Sequence, residues 1–486
     1  MIVFKKKDDV HLTFDGDRHE LQQLSDYFTF KVPGAEFSPQ YRNKFWDGKI
    51  RLVNLRNFTL YGGLWQEIIK FSKDLDVEVE FEGTKFDFPG REQPVSDQML
   101  DGYLDFLKPL SKKKPITIRD YQREAFKIAI RQQRTLLLSP TASGKSLIAY
   151  SLCRWWEQVH DRKILIIVPT ISLVAQMIGD FKDYSGGSYA PHGITGGLEK
   201  ETDKRCVVST WQSIHKMSTG WFAQFGSVIV DEVHHAQAKS IQKIMGKLLI
   251  CPDRIGLTGT LQEAKTHELV LKGLFGPVHK VITTKELIDR NQISDLSVRI
   301  LTLQYGAEDR KLLSKYKYQE EIDYLIGHER RNKIIARMAG DLPGNTLVVF
   351  SRIAHGKAIY DLIETEKDLH YVAGETDKDS REAVRYLAEN NDTIIVASLG
   401  VFSTGINIRN LHNLVFAHPS KSKIKVLQSI GRVLRKADNG VKATVFDIVD
   451  DLKHGSRENF ALRHASERFK FYVDESFDFK ISKIEL

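Results

Sequence analysis

The stretch LSPTASGKSL (138–147) ends in Gly144, Lys145 and Ser146, the residue types that close a phosphate-binding loop. Such a loop turns backbone N–H groups and a helix N-terminus toward an anion, with the lysine adding a point charge. Thr141 and Ser143 are the further candidate phosphate contacts. Ser139 stands where the usual pattern opens with glycine, and Ala142 fills another site that is often glycine. Glycine is needed only where backbone approaches the phosphate or takes a positive φ, so Ala142 is tolerable on the expectation of a negative φ. A second cluster is VIVDEVHH (228–235), an apolar run that delivers Asp231 and Glu232 at its carboxyl end. A magnesium nucleotide needs this arrangement: one carboxylate orients the metal and its neighbour activates the attacking water. His234 is not explained by nucleotide hydrolysis alone. A third cluster, QSIGRVLR (428–435), spaces Gln428, Arg432 and Arg435 at i, i+4 and i+7, one face of a helix. Guanidinium groups delivered from one domain to a phosphate in another form an arginine finger, worth ~10³–10⁵ in rate.

These groups act together only if the intervening chain is folded to bring them together. TLLLS (135–139), KILIIV (163–168), RCVVST (205–210), SVIVDE (227–232) and RIGLTG (254–259) are short apolar runs separated by helical patterns. A second series follows in NTLVVFS (345–351), DTIIVAS (392–398), NLVFAH (413–418) and ATVFDIVD (443–450). Strands alternating with helices indicate βαβ units and parallel sheets buried on both faces. Residues 280–340, between the two series, read as a mainly helical and polar connection. Ahead of them, HLTF, KIRLVN and VEVEFE surround two helical patterns, HELQQLSDYF and LWQEIIKFSK, and predict a small separate α/β domain. The expected organisation is an N-terminal domain at 1–90, a linker at 91–114, doubly wound domains at 115–282 and 283–455, and a tail at 456–486 packed on the second.

The 486 residues exceed one core, and 42% hydrophobic with 28% charged residues is ordinary for a soluble globular chain. No apolar run is long enough for a membrane span, and MIVFKKKDDV has its charges in the wrong order for a secretion signal. Cys153, Cys206 and Cys251 lie too far apart for a zinc cluster or disulfide framework and read as buried, inert thiols. A reducing cytoplasm is expected. The net charge of +8 points to a polyanionic partner. Residues 1–110 hold 15 basic against 19 acidic residues, so the basic excess accompanies the phosphate loop.

Taken in order, these stretches resemble the motifs of superfamily 2 helicases. IRDYQ (118–122) looks like the adenine-recognition motif, SPTASGKS (139–146) like motif I, VPTISLVAQ (168–176) like Ia and STWQS (209–213) like Ic. DEVH (231–234) is similar to a DExH motif II and LTGT (257–260) to motif III. VVFS (348–351), ASLGVFSTGINI (397–408) and QSIGRVLR resemble motifs IV, V and VI. FSPQYRNKFWDGKIRL (37–52) and the IGRVLR ending look closest to the phage UvsW recombination helicases, and the motor resembles XPB and RecG-like translocases.

The resemblance implies two tandem RecA-like domains and an ATP-dependent DNA helicase or branch-migration translocase with 3′-to-5′ polarity. Its substrates would be forks, Holliday junctions and R-loops, in recombination, repair and fork rescue. By position, Gln122 and Arg119 would read adenine, Lys145 would bind the β- and γ-phosphates, and Ser146 would reach Mg²⁺. Asp231 would hold the metal shell and Glu232 the water; Gly405 and Asn407 would line the cleft from the second domain. His234, Thr258, Gly259 and Thr260 would couple that site to nucleic acid, while Arg432 and Arg435 would meet the γ-phosphate beside Gln428. Candidate nucleic-acid contacts are Thr170, Gln176, Ser209, Thr210, Ser351, Arg352, Ser403 and Thr404, with bland capping roles as the alternative for each. Ala142 and Asn407, which replace frequent glycine and aspartate, imply weaker nucleotide contact.

Partners implied are branched, single-stranded or RNA–DNA hybrid DNA, with single-strand-binding or recombination proteins and no membrane. The expected state is a monomer, in host cytoplasm if phage-encoded. An RNA helicase or remodeler and a poorly hydrolysing ATP-gated clamp are the competing readings. In the N-terminal domain, Tyr41, Phe45 and Trp46 lie among Arg42, Lys44, Lys49 and Arg51. They either fill a small core or stack on exposed bases as a wedge.

Overall fold

The computed structural model describes residues 1–83, 94–196, 199–233, 238–259, 265–293, 296–374, 376, 383–384, 386–388, 391–404, 411–418, 443–475 and 477–486. For 238–239, 265–267 and 402–404 only the backbone is described. The chain forms two compact units, Met1–Ser139 with Gly144–Ile282, and Pro140–Ser143 with Thr283–Leu486.

The first unit begins with strands β1 (Ile2–Lys6) and β2 (His11–Asp15), the helix Arg18–Tyr27, and a two-stranded stem, β3 (Thr29–Lys31) with β4 (Lys49–Arg51). Then come β5 (Thr59–Tyr61), the helix Trp65–Leu75 and β6 (Val79–Glu82). The small sheet has the order β5-β2-β1-β6, with β6 parallel to β1 and the other pairings antiparallel. Ile2, Phe4, Leu12 and Phe14 alternate inward from β1 and β2, the period-two pattern of a sheet with one covered face.

A short hairpin of β7 (Leu110–Ser111) and β8 (Lys114–Pro115) leads into the large sheet. Its strands are β9 (Arg134–Leu138), β10 (Lys163–Val168), β11 (His192–Ile194), β12 (Cys206–Thr210), β13 (Phe225–Asp231), β14 (Asp253–Thr258) and β15 (Val278–Lys280). They lie all parallel in the order β11-β12-β10-β13-β14-β9-β15. Ile164 to Val168 are buried throughout, as expected of a parallel strand covered on both faces. The predicted strands recur here within a residue or two. Sequence reading missed β11 and β15, which are three-residue edge strands.

Two expectations about this first unit need correction. Within the presumed linker, Asp97–Leu107 is a helix capped by Ser96, and its Leu100, Tyr103 and Leu104 are buried in the core with Phe126 and Trp155. Nor is the N-terminal module separate. Its apolar residues join one continuous cluster with Leu136, Val228, Leu269 and Phe275 of the large-sheet layer. Asp9 N–H donates to the Leu249 carbonyl at 2.9 Å, the buried Arg134 guanidinium donates to the Asp9 carbonyl, and Lys272 pairs with Glu67 at 2.9 Å. Gly63 lies so near the helix Lys265–Phe275 that an added Cβ would sit 2.2 Å from the Lys272 carbonyl oxygen.

The second unit holds β16 (Leu296–Gln304), β17 (Thr346–Phe350), β18 (Asp368–Val372), β19 (Thr393–Ser398), β20 (Asn413–Phe416), β21 (Ala443–Asp451) and β22 (Asp478–Glu485). They too are all parallel, in the order β18-β19-β17-β20-β21-β16-β22. β16 corrects the reading of 280–340 as connection: it is a nine-residue strand between β21 and β22. The tail folds as a helix followed by a strand, and β22 pairs with β16 from Ser297↔Asp478 to Gln304↔Glu485. Its helix Phe460–Asp474 is tied down by buried Arg468, which grips Asp447 at 2.7 and 2.8 Å beside the Tyr472 hydroxyl at 2.9 Å. A second buried pair, Arg331 with Asp450 at 2.7 Å, joins the helix Glu329–Asp341 to β21.

The Gly63 contact is with backbone, which cannot swing away. Gly63→Val should lower the unfolding free energy by about 2 kcal/mol, read as an earlier denaturant transition and new proteolytic cleavage near residues 1–82.

Candidate active site

In a parallel sheet every strand ends on the same edge, and the registers here are level there. Thr258 lies beside Leu138, Asp231 beside Leu257, and Val168 beside Thr210. Residues far apart in the chain thus meet along one carboxyl edge, where ligands of such sheets bind. β9 feeds the phosphate loop, and the helix Lys145–Val159 starts immediately after Gly144. Gly144 has φ +84°, and a Cβ there would lie 2.3 Å from the Gln122 side-chain nitrogen. Gln122 is buried and its carbonyl oxygen accepts from Arg119 N–H at 2.9 Å. The adenine-recognition candidate therefore packs against the loop glycine. Arg119 donates through its guanidinium to the Tyr121 hydroxyl at 2.8 Å.

Lys145 Nζ lies 3.0 Å from Glu232 Oε1 and 3.3 Å from the Ser139 carbonyl. Glu232 follows β13 with φ +48°, a left-handed conformation unusual outside glycine, and its N–H donates to Asp231 Oδ1 at 2.9 Å. Backbone strain of this kind collects at functional sites. Burial first, and then the adjacent Glu232 carboxylate, push Asp231 up to about 7, with Lys145 opposing the shift. Two adjacent carboxylates, Asp231 and Glu232, are hard oxygen donors whose mutual repulsion favours a cation, a chemistry that fits Mg²⁺. Thr258 is fully buried at the end of β14, and its carbonyl accepts from Ser139 N–H at 2.8 Å, tying motif III to the loop; Gly259 follows it, partly exposed.

Ala142 departs from expectation: its φ is +67°, not negative. The loop demands the left-handed conformation there whether or not glycine occupies it, and alanine's Cβ costs about 1–2 kcal/mol in it. Ser143 is buried with its hydroxyl on the Pro140 carbonyl at 2.7 Å, a bond that shapes the turn, and Thr141 is partly exposed.

The sequence did not single out Tyr184, at the end of the helix Ile171–Tyr184. Its hydroxyl shares a 2.8 Å hydrogen bond with Ser146 Oγ, which fixes the rotamer of the proposed metal-binding hydroxyl. Burial is the main cause that raises the Tyr184 phenol to about 12, so it stays protonated. No local pattern flags a tyrosine 38 residues downstream; only helix packing brings it there.

The nucleic-acid candidates divide. Thr170 caps its helix by accepting from Leu173 N–H at 3.3 Å, and Gln176 is exposed on that helix. Ser351 and Arg352 are exposed after β17, and Arg352 donates to Gln319 at 3.1 Å. Ser209 and Thr210 are buried, Ser209 donating to the Ile194 carbonyl at 3.0 Å and Thr210 sharing a 2.9 Å hydrogen bond with the Ser213 hydroxyl. Ser403 and Thr404 lie on the helix Leu399–Thr404, described by backbone alone. His234, Thr260, Gly405, Asn407, Gln428, Arg432 and Arg435 lie outside the described residues. The three cysteines are buried and free, as read from their spacing.

Two all-parallel sheets, the first setting a Gly-Lys-Ser loop and an Asp-Glu strand end on one edge, form the RecA-like architecture that superfamily 2 helicases share. Family profiles agree: "DNA helicase UvsW, N-terminal" matches residues 1–82, "Type III restriction enzyme, res subunit" 115–263, and "Helicase conserved C-terminal domain" 307–437. The ATP-dependent DNA helicase uvsW of Enterobacteria phage T4 is 38% identical, with 98% of each chain covered. The DNA 3′-5′ translocase XPB2 of Sulfurisphaera tokodaii is 26% identical over 74% of this chain and 87% of its own. The crystal structure of T4 UvsW matches with a TM-score of 0.54 at 36% identity, covering 100% of this chain and 99% of that one. The chain belongs to the UvsW family of helicases.

Two substitutions probe the loop. Ala142→Gly should raise stability by about 1 kcal/mol, the left-handed penalty less the extra freedom of unfolded glycine, measured by denaturant unfolding. Tyr184→Phe should leave metal-free nucleotide binding unchanged and weaken binding of the magnesium complex about three- to tenfold, for a lost bond of about 1 kcal/mol, measured with a fluorescent nucleotide.

Proposed function

We propose that the chain is an ATP-dependent DNA helicase and translocase that unwinds or branch-migrates forks, four-way junctions and RNA–DNA hybrids, moving 3′ to 5′. The observation that carries this reading is the Lys145–Glu232–Asp231 cluster beside the phosphate loop, in a chain matched end to end by a DNA helicase. Lys145 exchanges Glu232 for β- and γ-phosphate oxygens when nucleotide enters, and Glu232, released, positions the attacking water. Ser146 and Asp231 would hold Mg²⁺, which neutralises phosphate charge when bound. Gln122 and Arg119 select adenine. Arg432 and Arg435, with Gln428, Gly405 and Asn407, would contact the nucleotide during hydrolysis, as the motifs they belong to imply. His234, Thr258 and Thr260 would couple hydrolysis to the nucleic acid. Thr170, Gln176, Ser351 and Arg352 hold the strand by its phosphates, which fixes position without reading sequence.

Among the described residues no helix is long and apolar enough to cross a membrane. We place the chain in the cytoplasm as a monomer, acting beside single-strand-binding and recombination proteins.

The test is ATP turnover with no nucleic acid, with a DNA fork and with a matched RNA fork. Turnover should rise with the DNA fork, and the RNA fork should compete poorly; a rate indifferent to DNA would sink the proposal. Lys145→Ala should cut turnover at least ~10²-fold, the scale of removing one transition-state charge contact, with fork binding retained in a gel-shift assay.

A further inference from the structure

The stem of β3 and β4 carries a 17-residue loop, 32–48, that is built rigidly yet holds two phenylalanine rings in solvent. Val32 N–H donates to the Gly48 carbonyl at 2.8 Å and closes its base. Ala35 is buried, and the Tyr41 ring lies against Gly48, so the loop has a small core of its own. The Trp46 indole N–H donates to the Lys49 carbonyl at 2.8 Å, Arg42 Nε to the Glu36 carbonyl at 3.2 Å, and Phe45 N–H to the Gln40 carbonyl at 2.9 Å. Of the three aromatics singled out in the sequence, Tyr41 and Trp46 are thus drawn into the loop. Phe45 is left 86% exposed, and Phe37 joins it at 71%.

Two exposed phenylalanines on a cross-braced loop keep apolar surface in water that a floppy loop could fold away. Their surroundings name the occupant. Lys31, Arg42, Lys44, Lys49 and Arg51 are all exposed along the stem and loop, against Glu36 and Asp47, within a 110-residue segment that is otherwise acid-rich. Apolar docking to a protein would not call for a local cation excess in an acidic module. Aromatic faces beside cations that track a phosphate backbone suit unpaired bases.

We infer that this loop is a second nucleic-acid site, in which Phe45 and Phe37 stack on unpaired bases at a DNA branch while the loop cations hold the flanking phosphates. The inference rests on the helicase reading but uses none of the ATP-site residues. Because the module shares a core with the first motor domain, the rings are carried by that domain as it moves.

The test uses the full-length chain and a DNA fork bearing 2-aminopurine in the unpaired arm beside the branch. Parent chain should quench the probe on binding. Phe45→Ala and Phe45→Leu should lose the quench and bind the fork about tenfold more weakly, Phe37→Ala should do so to a lesser extent, and Phe45→Trp should keep both signals. ATP turnover stimulated by plain single-stranded DNA should be unchanged in all four. If the parent's turnover ignores DNA, the helicase reading fails. If the parent is stimulated but Phe45→Ala quenches and binds like it, the stacking site fails alone. Retention of both signals by Phe45→Leu would overturn stacking, and a change in sedimentation mass without a change in fork affinity would assign the rings to a second copy of the chain.

Discussion

A cation held at the start of a helix needs a counter-charge until its ligand arrives, and in this molecule the contact between Lys145 and Glu232 at 3.0 Å supplies it. The lysine comes from the loop after β9 and the glutamate from the end of β13, with β14 between them in the sheet. Sheet order, register and the left-handed turn at Glu232 all serve to bring those two charges together. In the function proposed above, a phosphate would take over the lysine and leave the Glu232 carboxylate beside Asp231, where the repulsion between the two would favour a cation.

Much of this was legible in the chain itself. Apolar β-branched runs such as KILIIV mark strands buried on both faces, and the loop and acidic motifs sit at their carboxyl ends because that is where a parallel sheet exposes its termini. What escaped reading depended on contacts distant in sequence. β16 has Arg299 in its middle and polar flanks, and only its position between β21 and β22 makes it a strand. The helix Asp97–Leu107 carries its apolar positions at helical spacing, but lies beside the lysines and prolines of 108–115, which read as a joint. Ser209 looked available until the short edge strand β11 covered it. The conformation of Ala142 could not be inferred from its type, since a cost of about 1 kcal/mol is small against the stability of a whole domain. Tyr184 was hidden for the same reason as β16: packing, not spacing, gives it a partner.

The aromatic residues of the N-terminal module show how structure divides a pattern that sequence can only present whole. Tyr41 and Trp46 brace the loop and Phe45 does not, though the three sit within six residues. The first assignment of function to such a cluster is therefore all or none, and backbone geometry is what separates the members that build the platform from those it displays.

The shared core of the N-terminal module and the first motor domain also bears on how the chain is made. Residues 1–82 leave the ribosome well before the helix Lys265–Phe275 that covers them. At ~5–20 residues per second, the roughly 200 residues in between take on the order of 10–40 s to appear. For that interval the Gly62–Leu64 turn and edge strand β5 wait without the helix that packs on them, and Arg134 emerges to meet an Asp9 carbonyl made some seconds earlier. Nascent-chain chaperones would find their strongest claim on this protein in that window, and codon usage between the module and its covering helix would set how long it stays open.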